Sequence, residues 1–424
     1  MTQIPEILLK KAEELEQKTA EQFPALKPLV KQCFLNTIET TVQQLDDGSY
    51  FVITGDIPAM WLRDSAAQVK PYIKYAKEDE SLRAILRSII EKHAFYVNMD
   101  PYSNAFNAAE SKDGHADHTD WQSGWIWERK YEVDSLCASL YLSYEYFKET
   151  GDRAIFTPAL HQMIETIVNT FTAEQHHDQT SYFFIRENCP ESDTLPCDGR
   201  GTPVNPNTGM TWSGFRPSDD ACKYGYLIPS NMMAVVALRY AAVLSHEGFS
   251  DEVLADRCTQ LSKEIDKGIQ TYGIVEHPVY GKMYAYETDG FGNYNLMDDA
   301  NSPSLLAIPY LGYCDASDPI YQNTRLFILS KENPYYYEGT AAKGIGSPHT
   351  PNNYIWHISL SMQALTSTDE EEIRTCMDTI ARTHAGTNFM HEGFDVNDPA
   401  NFTREWFAWA NTLFAQTVET LVNR

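Results

Sequence analysis

A chain of 424 residues, 43% of them hydrophobic, is long enough to bury a large core. Its 33 basic and 59 acidic residues give a net charge of −26, which repels nucleic acid and anionic membranes and argues against both as partners. We therefore expect a soluble protein that acts on a neutral or cationic substrate.

The cysteines and the N-terminal sequence indicate where the protein resides. The eight cysteines include no CxxC pair and lack the clustering of secreted disulfide frameworks, which favours reduced thiols. The first residues, MTQIPEILLKKAEELEQ, carry charges every few positions and lack the apolar region of a signal peptide. No apolar run is expected to reach the length of a membrane span. These features predict a cytoplasmic protein.

In chain order, helical periodicity predicts thirteen helices. They cover residues 4–22, 27–45, 62–78, 80–97, 131–150, 153–173, 230–247, 250–271, 302–313, 318–330, 353–366, 369–385 and 403–421. Short turns join the members of each pair, and long connections join one pair to the next. The long connections are 46–61, 98–130, 174–229, 272–301, 331–352 and 386–402.

If paired helices run antiparallel, all the short turns fall on one face and all the long connections on the other. Six such hairpins closing on themselves make an all-α (α/α)6 toroid, which we predict as a single domain over residues 1–424. An open helical solenoid is the alternative, but it would show a sequence repeat of fixed period, and none is evident. Residues 182–186 and 281–286 predict short β-hairpin strands within the long connections.

The tryptophans indicate the kind of ligand. All eight lie in the long connections or within about two helical turns of them. Indole is costly to expose and provides a flat platform for a sugar ring. The sequence therefore predicts a carbohydrate-active enzyme with one ligand-binding face.

The first connection ends in residues 55–65, which place Trp61, Arg63 and Asp64 where a helix begins. Arg63 can donate to one sugar hydroxyl while Asp64 accepts from its neighbour. The structural alternative is a cluster at the helix N-terminus, with Asp64 favoured there by the helix dipole. We interpret all three as substrate-binding residues.

The second connection offers both metal-ligand and sugar-binding residue types. Histidines and aspartates in 115–120 resemble a metal-ligand set, but their spacing matches neither HExxH nor a zinc ribbon, so we predict no metal. Sugar contacts or hydrogen bonds within the loop explain this set better, and we retain His115 and Trp127 as candidate sugar ligands. Glu128 and Asp134 flank a helix start and are candidate hydroxyl ligands, with surface charge as the alternative.

The third connection closes with residues 211–221, which contain Arg216, a candidate sugar ligand, and the adjacent acids Asp219 and Asp220. Repulsion and burial raise the pKa of one member of such a pair. A carboxylic acid that is protonated near neutral pH is what glycosidic cleavage requires. Side-chain direction alternates along the chain, so we expect only one of the two to face a pocket.

The fourth and fifth connections supply candidates with strong structural alternatives. Ser302 precedes Pro303, which suits the first position of a helix, so capping is its main interpretation and substrate contact a secondary one. His349 and Trp356 are candidate sugar ligands, although structural hydrogen bonds would also explain them.

The sixth connection carries Glu392 next to Gly393, in a position to act as a general base that activates water. Glu405 is its rival, but it resembles a first-turn glutamate after a capping Thr403. The toroid would bring Glu392 and the acid pair to one face. Inversion requires carboxyls about 6.5–9.5 Å apart and retention about 5 Å, a choice that these residues leave open.

Taken together, three segments make the chain similar to glycoside hydrolase family 125, the exo-α-1,6-mannosidases of bacteria and fungi. They are GDIPAMWLRDS at 55–65, GFRPSDD at 214–220 and HEGF at 391–394. The first segment alone is moderately specific, because other (α/α)6 glycosidases also place an Arg-Asp pair near the sugar. The three in this order are much more specific, and the similarity covers nearly the whole chain.

The resemblance implies an (α/α)6 fold and removal of non-reducing terminal mannose from α-1,6 linkages, as in N-glycan fragments. It also implies inversion of configuration with no metal and no cofactor. By motif, Asp220 corresponds to the general acid and Glu392 to the general base, while Arg63 and Asp64 would hold the terminal mannose.

Three other interpretations remain open at this point. The chain could be another (α/α)6 exo-glycosidase, trehalase-like or glucoamylase-like, because pocket shape decides which sugar fits. It could be a non-catalytic mannoside-binding protein, which would not need both Asp220 and Glu392. A helical-repeat scaffold is disfavoured, because scaffolds place binding residues along helix faces rather than in long loops.

Overall fold

The helices dominate the protein, whose computed structural model describes residues 3–424. The α-helices are Glu6–Gln22, Lys27–Asn36, Leu62–Val69, Glu80–Met99, Val133–Thr150, Pro158–Glu174, Ile228–Val243, Glu252–Tyr272, Pro319–Ile328, His357–Thr366, Glu370–Thr383 and Ala408–Val422, with Pro196–Gly199 as a single turn. Three of them continue in another helix type, as π-helix over Thr37–Thr41 and Leu244–Phe249 and as 3-10 helix over Lys70–Glu78. One hydrophobic core extends from Leu8 to Val422.

The helices form two concentric rings, which confirms the predicted (α/α)6 toroid. The inner ring contains the helices that begin at Leu62, Val133, Ile228, His357 and Ala408, each packed against a neighbour in the ring. Inner helices are buried on nearly all sides, as Ile228–Val243 shows. Outer helices are amphipathic: Glu370–Thr383 buries one face, made by Ile373, Cys376, Met377 and Ile380 among others.

The two rings differ in how their helices begin. Side chains of Asp79, Thr157, Asp251, Asp318 and Asp369 accept backbone N–H groups at the starts of outer helices. Within the described chain, no side-chain cap is present on any of the five inner helices. These helices begin on the face of the long connections, so their positive dipole ends lie at that face.

Short strands fasten the long connections to one another. They are Val42–Gln44, Tyr50–Val52, Met60–Trp61, Ala105–Phe106, His118–Thr119, Ile126–Glu128, Phe184–Ile185, Tyr226–Leu227, Ile274–His277, Gly281–Tyr284, Glu287–Thr288, Tyr294–Asn295, Tyr336–Glu338, Lys343–Ile345, Tyr354–Trp356 and Gly393–Asp395. The predicted strand near 281 forms an antiparallel hairpin with Ile274–His277. The one near 184 pairs instead with His118–Thr119, so it joins two connections.

The predicted helix 302–313 is wrong. The segment is a series of turns that occupies the sixth inner position, where Leu311 lines an apolar cavity together with Met233 and Met362. Pro303 and Pro309 supply no amide hydrogen for a helical ladder. The Asp298 carboxylate instead accepts the backbone N–H groups of Leu305 and Leu306 at 2.8 and 3.0 Å.

The helices predicted from 353 and from 403 begin later in the chain than periodicity indicated. Tyr354–Trp356 is a strand, paired in antiparallel register with Gly393–Asp395, and the helix starts at His357. The last helix starts at Ala408 rather than 403. In both cases the residues just before the helix are used to build the ligand-binding face.

The expectation that no apolar run reaches membrane-spanning length is also corrected. Ile228–Phe249 is long and apolar enough by length and composition, but 78% of its most apolar window is buried inside the toroid. A central helix of a packed core has the same composition. Among residues 3–424 the cysteines are all free thiols.

Candidate active site

A polar cavity of about 250 Å³ opens where the inner helices begin. It is lined by Thr54, Ile57, Trp61, Arg63, Asp64, Pro217, Ser218, Asp219, Asn301, His349, Trp356, Glu392, Arg404 and Phe407. The residues of this wall come from five of the six long connections and from the helix starts that directly follow them. The predicted residues Trp61, Arg63, Asp64, His349, Trp356 and Glu392 are thereby brought together.

A single guanidinium holds one side of the cavity together. Arg63 is 4% exposed, and its Nη1 donates to Glu132 Oε2 at 2.6 Å and to Asp134 Oδ2 at 3.0 Å. Its Nη2 lies 3.5 Å from Asp64 Oδ2. Three carboxylates around one cation leave an excess of negative charge. Burial raises the pKa of Asp64 to about 6, although Arg63 opposes the rise.

Two atoms of this cluster have no hydrogen-bond partner among the described residues. They are the donor Nε of Arg63 and the acceptor Oδ2 of Asp64, both buried and both on residues that line the cavity. Buried polar atoms are nearly always paired, so these two leave Arg63 and Asp64 with unused hydrogen-bonding capacity beside the cavity. This geometry suits adjacent hydroxyls of a sugar.

The adjacent acids of the third connection point in different directions. Asp219 lines the cavity, and its Oδ1 accepts hydrogen bonds from Asn104 Nδ2 at 3.2 Å and Trp61 Nε1 at 3.4 Å. Its φ of 66° lies in the left-handed region, which L-residues adopt only where the surroundings hold them. As expected, only one of the pair faces the cavity.

Asp220 lies behind the wall. Its side chain is almost fully buried and is not among the described residues that line the cavity. His349 Nδ1 donates to its Oδ1 at 3.3 Å. Burial disfavours an imidazolium, but this hydrogen bond and the charges of Asp220, Glu392 and Asp219 outweigh it and raise the pKa of His349 to about 9. His349 is therefore a cation at neutral pH, with 38% of its side chain open to the cavity.

Glu392 has a basic neighbour that its sequence context did not reveal. Arg404 Nη1 lies 3.7 Å from Glu392 Oε1, while the Nε of Arg404 donates to both oxygens of Asp56 at 3.0 and 3.1 Å. The strand Gly393–Asp395, paired with Tyr354–Trp356, fixes the connection that carries Glu392. The rival Glu405 is exposed and lies outside the cavity wall of the described chain.

Three predicted ligands support the site instead of lining it. Asp134 is fully buried, where it contacts Arg63 and accepts from Ser230 Oγ at 3.1 Å. Arg216 is committed to Glu287, with its Nε 2.6 Å from Oε1. Ser302 lines the apolar cavity of about 60 Å³ deeper in the toroid. Their placement therefore indicates a supporting role for all three and no direct contact with sugar.

The second connection forms a cleft of its own, of about 130 Å³, within residues 111–129. His115, Trp127 and Glu128 line this cleft and are not among the described residues of the main cavity. Glu128 is buried and accepts from Arg186 Nη2 at 2.8 Å. The candidate metal ligand Asp117 is likewise bound by Arg186, and residues 3–424 contain no group of three or more potential metal ligands.

Four important residues were not singled out as ligands in the sequence. They are Asn104, Glu132, Asn301 and Arg404. Glu132 gave one weak signal, because a glutamate directly before the buried run Val133–Thr150 must be paired or protonated there.

An (α/α)6 toroid with carboxylates, cations and indole rings around one cavity fits the class of glycoside hydrolases. Residues 24–419 match the model of the metal-independent α-mannosidases, GH125, and the chain belongs to this family. It is an α-mannosidase.

Known relatives agree with this assignment. A metal-independent α-mannosidase of Streptococcus pneumoniae, solved as a non-productive complex with α-1,6-mannobiose, is 45% identical, with a TM-score of 0.96 and full coverage of both chains. The meiotically up-regulated gene 157 protein of Schizosaccharomyces pombe is 41% identical over 94% of this chain and 82% of that protein. A glucoamylase of Saccharomycopsis fibuligera shares the fold at 11% identity, with a TM-score of 0.60 and coverage of 98% and 95%.

Asp220→Asn should lower the pKa of His349 from about 9 toward its ordinary value of about 6.5, because the carboxylate that stabilises the imidazolium is lost. In the native protein the pair stabilises the fold fully below about pH 6.5, and the contribution disappears as pH rises through about 9. Histidine NMR titration, with the signal assigned by His349→Gln, measures the shift. Asp315→Asn, at an exposed turn, is the control; an unchanged His349 titration in Asp220→Asn would contradict the pairing.

Proposed function

We propose that the enzyme is an exo-acting α-1,6-mannosidase that removes non-reducing terminal mannose from oligosaccharides such as N-glycan fragments, with inversion and without a metal. The observation that carries this proposal is that Asp219 and Glu392 line the same small cavity as the Arg63–Asp64 pair. The α-1,6-mannobiose bound by the relative from Streptococcus pneumoniae supports the linkage.

The terminal mannose would be held by hydroxyl contacts and ring contacts. Arg63 and Asp64, both on the cavity wall, supply a donor and an acceptor for neighbouring hydroxyls. Trp61, Trp356 and Phe407 supply aromatic wall for the apolar face of the ring. A cavity closed by the connections around it has room for a chain end, which favours exo action.

We assign the general acid to Asp219 and not to Asp220, which the resemblance had indicated. Asp219 lines the cavity and is held in place by Asn104 and Trp61, whereas the Oδ1 of Asp220 is occupied by His349. A general acid must reach the oxygen it protonates. Asp220 would then act indirectly, by keeping His349 positively charged.

In the reaction that follows, Asp219 gives its proton to the glycosidic oxygen as the bond from that oxygen to the anomeric carbon breaks. Glu392 takes a proton from a water that attacks the same carbon from the opposite face. The products are β-mannose and the shortened oligosaccharide with a free 6-hydroxyl. Glu392 then releases its proton and Asp219 regains one, so no proton is consumed overall.

The purified enzyme, with EDTA present, should release β-mannose first from α-1,6-mannobiose, followed by slow mutarotation. Proton NMR of the anomeric signals measures linkage, stereochemistry and metal independence in one experiment. α-1,2- and α-1,3-mannobiose are the matched controls and should react much more slowly. Early α-mannose would contradict inversion, and binding without release would favour a mannoside-binding protein.

Asp219→Asn should lower kcat on α-1,6-mannobiose by roughly 10²–10⁴, the usual range for loss of acid assistance. An aryl α-mannoside with an acidic phenol leaving group needs no protonation, so its hydrolysis should be largely retained. Asp220→Asn is the adjacent control and should cost less than about tenfold on mannobiose. Steady-state kinetics on both substrates decide the point; a reversed order would return the acid role to Asp220.

Glu392→Gln should lower kcat on both substrates by roughly 10²–10⁴, because water activation is required whatever the leaving group. The exposed Glu405→Gln is the matched control and should keep near-native rates. Added azide, a nucleophile that needs no base, should partly rescue Glu392→Gln and yield β-mannosyl azide. Loss of activity in Glu405→Gln with a functional Glu392→Gln would overturn the assignment.

A further inference from the structure

Glu132, a buried residue just behind the cavity wall, contacts the proposed acid. We propose that Glu132 and Asp219 share one proton, and that Glu132 is the positioning residue that keeps Asp219 supplied with it. This inference rests on the proposed function in one respect: it takes Asp219 as the acid. The shared proton itself is a property of the folded protein and can be measured without turnover.

The contacts around Glu132 leave little freedom for its side chain. It is 1% exposed, and its Oε2 accepts from Arg63 Nη1 at 2.6 Å and from Ser135 Oγ at 2.8 Å. Its Oε1 accepts from Asn104 Nδ2 at 3.2 Å. The carboxyl also makes a side-chain hydrogen bond with Asp219. Two carboxyl groups can form such a bond only if one of them is protonated.

The amide of Asn104 gives a second, independent reason for a proton. Its Nδ2 lies within hydrogen-bond distance of three carboxylate oxygens, those of Glu128 at 2.9 Å, Glu132 at 3.2 Å and Asp219 at 3.2 Å. An amide nitrogen carries two hydrogens, so it cannot satisfy all three. A proton held between Glu132 and Asp219 supplies the missing donor.

The surrounding charges favour the same state. Facing the pair are the anions Asp64, Asp134 and Glu128 and the cations Arg63, Lys130 and His349. The positive charge of Lys130 is divided among several acids, since its Nζ donates to the backbone oxygen of Asp219 and pairs with Asp193 and Glu128. Burial and the charges of Asp219 and Asp134 outweigh Arg63 and hold the pKa of Glu132 well above its ordinary range. Burial also acts on Asp219, but Lys130 and Arg63 outweigh it and lower the pKa of Asp219, so the resting proton lies on Glu132.

The shared proton has a use in the catalytic cycle. When Asp219 protonates the glycosidic oxygen, the one proton of the pair passes along their hydrogen bond and on to that oxygen, so both groups become carboxylates. After product leaves, the pair takes up one proton from solvent, which balances the proton that Glu392 releases, and Glu132 holds it for the next donation by Asp219. Glu132 does not touch the reacting atoms; it acts through Asp219.

The test compares Glu132→Gln with wild type on two substrates across pH. Glutamine keeps the shape and the contact with Arg63, but it holds no transferable proton. We expect kcat/KM on α-1,6-mannobiose to fall roughly 10–100-fold at pH 7, with the alkaline limb of the profile moved down by about one pH unit. Hydrolysis of the activated aryl mannoside should change by less than about threefold, because that leaving group needs no acid.

Asp134→Asn is the matched control, because Asp134 also pairs with Arg63 in the buried cluster but is not a described contact of Asp219. A loss through Arg63 alone would affect both substrates equally, so Asp134→Asn should lower both and move the alkaline limb less than Glu132→Gln does. Equal losses on both substrates in Glu132→Gln, with an unmoved pH limb, would overturn the proposal and leave a structural role.

Infrared difference spectroscopy of the resting enzyme separates this proposal from the proposed function. At pH 7 wild type should show a protonated-carboxyl band that shifts on ¹³C-glutamate labelling and is absent in Glu132→Gln. Its absence in wild type would overturn the shared proton whatever the activity. If the band is present but wild type releases no mannose from mannobiose, the proposed function fails and the shared proton stands.

Discussion

The contact of Arg63 with three buried carboxylates is the interaction on which the functional face depends. It joins the first inner helix, through Arg63 and Asp64, to the start of the second, through Glu132 and Asp134. Removing one partner of a buried ion pair lowers the free energy of unfolding by roughly 3–5 kcal/mol, because the remaining charge is left without compensation. The cluster therefore fixes the relative position of two inner helices and the wall that they carry.

The ring architecture makes such a concentration of acids tolerable. Outer helices begin on the short-turn face, where Asp and Thr side chains cap them, while inner helices begin uncapped on the opposite face. An uncapped N-terminus is a partial positive charge that favours nearby anions. Asp64 and Asp134 both lie in the first turn of an inner helix. The fold thus stabilises negative charge at the face where the carboxylates lie. It does so with backbone N–H groups, which leave no motif in the sequence.

Much of this organisation could be predicted from the sequence, and the failures have physical causes. Periodicity found every helix of both rings, since burial of one face or all faces leaves a clear pattern. It failed over 302–313, where an apolar segment satisfies its amides through Asp298 and tertiary packing. Residue type singled out His115 and Trp127 as sugar ligands, but only the structure shows that their connection closes into a cleft of its own.

The acid pair was the hardest part to predict. The sequence does not show which of two adjacent acids faces a cavity. In the structure Asp219, whose φ is positive, faces it. The two sides of that cavity also differ in charge, as a glycoside hydrolase with two carboxyl groups requires. On the side of Asp219, burial and the excess of carboxylates around Arg63 raise the pKa of the neighbouring Glu132, which favours a proton on that pair of acids. Arg404 lies on the side of Glu392, and the imidazolium of His349 faces both Glu392 and Asp219. Because Asp220 keeps His349 charged, both members of the acid pair act on the cavity, one by facing the substrate and the other through the imidazolium that it holds.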